Sequence, residues 1–60
     1  MVGLLNEQEA AKYLGCSKGL LRKWRLFGHG PAFCKLGRLV RYSEADLATF
    51  VAANRVGGSR

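Results

Sequence analysis

The sequence predicts a mainly α domain with one small β-hairpin, in the order helix, helix, hairpin, helix. Three observations predict it. Asn6, Ser17 and Ser43 each stand just before a helical run, where their side chains can cap the free N–H groups of a first turn. Gly15 and Gly28 follow the first two runs, where a helix end often needs a left-handed residue. Gly37-Arg38 separates two short runs rich in aromatic and branched residues, the pattern of a two-residue hairpin turn.

The first helix is expected over Glu7 to Leu14. Asn6 and Glu9 have capping-box spacing, and Leu5 can pack on Ala10 as a hydrophobic staple. Glu7, Gln8 and Glu9 suit the positive end of the helix dipole. Ala10, Ala11 and Leu14 share one face. Only Gly15-Cys16-Ser17 intervene before a second helix, Lys18 to Phe27. Two helices joined by a three-residue turn containing glycine form a helix-turn-helix pattern. Gly28-His29-Gly30-Pro31 then breaks helical structure. Strands follow over Phe33 to Leu36 and Leu39 to Tyr42, with Gly37 placed for a type II′ turn. Ser43 caps a third helix, with Asp46 at its third position. It carries Ala45, Leu47, Ala48, Phe50 and Val51 and runs to about Asn54. With no repeat or linker, residues 1–60 read as a single domain, its core over about 4–54 and a frayed tail over 55–60.

Size and charge limit the function classes. A chain of 60 residues buries only about 60% of its unfolded surface, so a deep pocket with a buried catalytic set is not expected. A hydrophobic fraction of 48% is ordinary for a folded domain. Ten Lys and Arg against four Asp and Glu give a formal charge of +6 and a pI near 10.0, the footprint of a polyanion partner. No run approaches the ~18 apolar residues of a membrane helix. The start, Met1 to Asn6, lacks the basic n-region of a signal peptide. A cytoplasmic, nucleoid-associated location is therefore expected.

Cys16 and Cys34 read as free thiols in a reducing compartment. With His29 they fall short of the four ligands of a structural zinc site, so no metal or cofactor is expected, and Cys16 reads as a small core residue. His29 lies between two glycines with no acid or nucleophile tied to it. The chain is not expected to be an enzyme.

The second helix carries the functional reading. At about 100° per residue, Leu20, Leu21, Trp24 and Phe27 form an apolar stripe, and Lys18, Gly19, Arg22 and Lys23 centre on the opposite face. An outer face usually mixes signs, but Lys18 to Arg25 holds four cations (Lys18, Arg22, Lys23 and Arg25) and no anion. Cations in a first turn oppose the helix dipole, so this start suits a phosphate. The free N–H groups and the Ser17 hydroxyl can hold one directly. Gly19 has two readings, close approach of the backbone to DNA or a neutral position. The hairpin adds Lys35, Arg38 and Arg41, with Arg38 at the tip, suited to a minor groove or a phosphate. Phe33, Leu36 or Val40 can cover the helix pair from the alternate face. Tyr42 reads as a core ring with a wet hydroxyl ahead of a base-stacking platform.

Leu4-Leu5, then Glu9-Ala10-Ala11-Lys12-Tyr13-Leu14-Gly15-Cys16-Ser17, then Leu21-Arg22-Lys23-Trp24 resemble the helix-turn-helix of the excisionase and AlpA-like proteins, relatives of MerR-type winged helices. Gly30-Pro31, Phe33 to Arg38, Val40-Arg41-Tyr42 and Asp46-Leu47 are similar to that family's wing and following helix. The resemblance covers roughly residues 4 to 54 and implies a winged helix-turn-helix with its second helix in the major groove. It implies Ser17, Lys18, Gly19, Arg22 and Lys23 as the groove set and Arg38 and Arg41 as wing contacts. It further implies a recombination directionality factor that binds duplex DNA in cooperating copies, bends it and assists an integrase. The alternative within the same family is a small transcriptional regulator. No dimerisation helix or effector domain follows the third helix, so ligand sensing in cis is not expected.

Overall fold

The computed structural model describes residues 3–56 and contains three helices and one hairpin: α1 (Glu7–Leu14), α2 (Lys18–Leu26), β1 (Cys34–Leu36), β2 (Leu39–Arg41) and α3 (Glu44–Ala53). This is the winged helix-turn-helix arrangement, with the hairpin as the wing. Residues 1–2 and 57–60, which include most of the expected tail, lie outside the described residues.

Each helix start is made by the cap that the sequence offers. The Glu9 N–H donates to Asn6 Oδ1, and the Asn6 N–H donates to Glu9 Oε1, both at 2.8 Å, closing the reciprocal capping box. Ser17 Oγ accepts from the Leu20 N–H and Ser43 Oγ from the Asp46 N–H. The two helix ends are also alike. Gly15 and Gly28 have φ of +73° and +76°. In each case the next residue's N–H reaches back a full turn, Cys16 to the Ala11 carbonyl at 2.9 Å and His29 to the Trp24 carbonyl at 2.7 Å.

The core is small. Ala10 and Ala11 of α1, Leu21 of α2, Tyr42 after β2 and Leu47 of α3 are buried together. Leu5, Leu14, Cys16, Trp24 and Val40 pack around them. Trp24 also meets Phe50 across α2 and α3, ring centroids 5.4 Å apart.

The strands pair antiparallel in the register Cys34 with Arg41, Lys35 with Val40 and Leu36 with Leu39. Gly37 has φ +65° and no non-glycine residue has a positive φ, which fits a type II′ turn and excludes type I′. Both strands are one residue shorter than expected. Phe33 precedes the ladder, and Tyr42 leaves it to pair with Leu5 instead. The Leu5 N–H donates to the Tyr42 carbonyl at 2.7 Å, and the Tyr42 N–H to the Leu5 carbonyl at 2.8 Å. This rung ties the segment before α1 to the base of the wing.

The expected apolar stripe of α2 needs correction. Leu21 is buried and Trp24 half-buried, but Leu20 is 36% exposed and Phe27 62%. Phe27 lies beyond the helix, at φ −100° and ψ 9°, so helical periodicity does not place it. The inward face of α2 is instead Leu21, Trp24 and Arg25, spaced i, i+3 and i+4. Leu36 is also exposed, while Val40 is the wing residue packed on the core.

Candidate nucleic-acid interface

Glu7 organises the cationic side of the molecule. Its carboxylate accepts from Arg22 Nε at 3.0 Å through Oε1 and from Arg25 Nη1 at 2.6 Å through Oε2. Arg25 Nη1 also donates to the Tyr42 hydroxyl at 3.3 Å, and its guanidinium carbon lies 5.7 Å from the centre of the Phe33 ring. The Tyr42 hydroxyl, expected to be wet, is therefore bonded inside the fold. A chain of contacts runs from buried Tyr42 through Arg25 and Glu7 to Arg22 at the surface.

The two arginines end in different places. The Arg25 side chain is 24% exposed and committed on three sides, whereas that of Arg22 is 63% exposed. Burial pushes the Glu7 carboxyl up, but the hydrogen bonds and charges of Arg25 and Arg22 outweigh it and hold the group below the ordinary carboxylate value. The hydrogen bond to Glu7 raises the Arg25 guanidinium above its usual value against desolvation, and Tyr42 adds to the rise.

A carboxylate whose folded pKa is depressed stabilises fully above its unfolded pKa, about 4.3, and loses that contribution as pH falls through the lower folded value. The Tm of the wild type should therefore fall on acidification below that range, and the Glu7→Gln variant should show a flatter profile. Equal slopes in calorimetry would remove Glu7 from the acid response.

Lys18, Arg38 and Arg41 are brought to one place. With Asn6, Glu7, Gln8, Leu39 and Val40 they line an open cleft of about 290 Å³ between the starts of α1 and α2 and the wing. Arg41 Nη1 also donates to the Val40 carbonyl at 2.8 Å. Lys35 does not join them. It pairs with Val40 across the ladder, and paired residues share a face, so it stands on the face opposite Arg41. Ser17, Gly19 and Lys23 are exposed on or beside α2, outside the cleft. The Ser17 oxygen caps α2 and its proton remains able to donate.

Gly19 is not required by packing. A Cβ there would meet only Ser17 Oγ, at 3.8 Å. Gly19→Ala should raise stability by about 0.5–1 kcal/mol in urea titration. If DNA affinity falls in the same variant, close backbone approach is the reason for the glycine; unchanged affinity identifies a neutral position.

Cys16 and Cys34 are free and half-buried, and among the described residues no three His, Cys, Asp or Glu side chains cluster as metal ligands. Among the same residues no helix is long and apolar enough to cross a membrane.

A family described as the helix-turn-helix domain matches residues 4–55. The chain belongs to that family. Its membership covers α1, α2, the wing and α3, and gives this helix-turn-helix domain a DNA-binding role. No curated protein matches it. In the helix-turn-helix domain the sequence-read cations thus divide into a cleft set of Lys18, Arg38 and Arg41, an α2 surface set of Arg22 and Lys23, an inward-turned Arg25, and Lys35 across the wing.

Sequence reasoning missed the role of Glu7. A signal for it existed: Glu9 closes the capping box and Glu44 and Asp46 begin α3, so Glu7 was the acid without an assigned partner. Arg25, beside Leu21 and Trp24 at helical spacing, was the corresponding cation on the apolar side.

Proposed function

We propose that this domain is a sequence-specific duplex-DNA-binding protein of the excisionase kind, a recombination directionality factor acting on cytoplasmic DNA. In this reading α2 occupies the major groove with Ser17, Lys18, Gly19, Arg22 and Lys23 toward the DNA, and Arg38 and Arg41 hold the wing on the backbone or an adjacent minor groove. The observation that carries it is the cleft in which Lys18 of α2 meets Arg38 and Arg41 of the wing. One anionic strand passing there contacts both elements at once. Arg25 serves from inside, and Lys35 touches a phosphate only where the DNA curves around the wing.

A face this short offers few base contacts, which favours copies binding side by side at repeated sites and bending the DNA between them. An integrase is then the partner that uses the bent complex. If Lys18, Arg38 and Arg41 each neutralise one phosphate, the log–log salt slope of binding should be about −2.7. DNase footprinting with bending measurements on an element's attachment region tests the rest. Repeated protected sites with a bend are expected. One protected promoter site without bending would instead assign a small transcriptional regulator.

A further inference from the structure

We infer that Glu7 is a positioning residue for base recognition: it clamps Arg22 through Nε so that the two terminal nitrogens are presented, pre-aligned, to a guanine in the major groove. The inference rests on the DNA-binding reading above and names the residue that reads sequence within it.

Four features carry it. Arg22 spends only Nε on Glu7, at 3.0 Å, and its side chain makes no other hydrogen bond among the described residues. Four of the five guanidinium N–H donors remain, and the terminal pair is the fork that matches guanine O6 and N7. The Glu7 carboxylate is itself immobilised, because its second oxygen is held by Arg25 at 2.6 Å and Arg25 is held by the Tyr42 hydroxyl. Arg22 is the fifth residue of α2, with exposed Gly19 and Lys23 beside it, so it faces base edges when α2 lies in the groove.

Charge sharpens the point. Glu7 lines the same cleft as Lys18, Arg38 and Arg41. An anion there repels phosphate, and on electrostatics alone its removal strengthens binding to any duplex. A positioning role gives the opposite sign on the preferred duplex. Fixing a long, rotamer-rich side chain before binding reduces the ordering cost of association.

The test uses the full chain and a duplex enriched by it from a randomised pool, beside a scrambled duplex of equal length. Wild type, Glu7→Gln, Arg22→Ala and the double variant are titrated on both. Glu7→Asp is added because it keeps the charge but is one methylene too short to hold both arginines. It also serves if Glu7→Gln does not fold. Arg22→Ala should weaken binding to the enriched duplex by about 5- to 150-fold, the discrimination of one bidentate pair. Glu7→Gln and Glu7→Asp should weaken it several-fold, with Glu7→Gln equal or tighter on the scrambled duplex. The double variant should be no worse than Arg22→Ala. Substituting 7-deazaguanine for the guanine that Arg22 reads should reduce the differences among the variants toward those seen on the scrambled duplex.

Glu7 variants that keep the full preference for the enriched duplex would overturn the inference alone. So would an Arg22→Ala loss equal on both duplexes, which marks a phosphate contact. A wild type that enriches no duplex would overturn the sequence-specific reading beneath it, and the inference with it.

Discussion

Leu21→Ala is expected to remove most of the stability of the domain. Leu21 is 1% exposed and sits at the centre of the small core, among Ala10, Ala11, Tyr42 and Leu47. Truncating a buried leucine costs about 2–5 kcal/mol, with the larger values where neighbours cannot collapse into the space. Two of the neighbours here are alanines, whose single methyl group has no rotamer with which to fill the space. Domains of this size rarely draw more than about 3–5 kcal/mol from a single core. The urea midpoint of Leu21→Ala, followed by circular dichroism, should fall toward zero. Leu26→Ala is the control, since Leu26 is 80% exposed and surface changes usually stay within about 0.5 kcal/mol. Similar midpoints for the two variants would show that the core is not where stability lies.

Gly30→Ala is the second large effect. Gly30 has φ +86°, and an added Cβ would stand 2.9 Å from Trp24 Cβ and 3.1 Å from its Cε3. The left-handed backbone costs an alanine about 1–2 kcal/mol, and forcing an extra carbon into a filled site costs about 1–3 kcal/mol. Together about 2–5 kcal/mol is expected. Neither side has room to yield easily. Trp24 is backed by Phe50, and Pro31, next to Gly30, is buried. Gly28→Ala separates the two causes, because φ is +76° there but an added Cβ meets nothing within 4 Å. It should lose only the conformational part. The fluorescence of Trp24, the single tryptophan, reports the disturbance directly. A Gly30→Ala variant as stable as Gly28→Ala would show that the contact with Trp24 relaxes freely.

The readability of this fold from its sequence follows the range of the interactions. Caps are local. Asn6 with Glu9, Ser17 with Leu20 and Ser43 with Asp46 each close over three residues, so the helix starts could be read directly. The hairpin was readable because Gly37-Arg38 leaves few turn geometries. The roll of α2 was not, because it shows only in contacts remote in sequence, Leu21 and Trp24 on the core and Arg25 turned inward to Glu7. Counting four cations on one outer face therefore overstated what α2 presents. The Leu5–Tyr42 rung was equally hidden, since a single bridging residue leaves no alternation to detect. The meeting of Lys18 with Arg38 and Arg41 depends on where the wing folds back, which neither segment encodes alone.

That rung changes how the wing should behave as a ligand-binding element. A free two-stranded hairpin is marginal in water, and a loose one would have to freeze its backbone on arrival at DNA. Here the base of β2 is pinned to the segment before α1, and Ser43, the residue after Tyr42, caps α3. If the wing docks on a duplex as proposed, a hairpin tied down at its base has less backbone freedom to lose on arrival than a free one. Fewer contacts would then be needed to hold it, and a mismatch in groove shape would cost more.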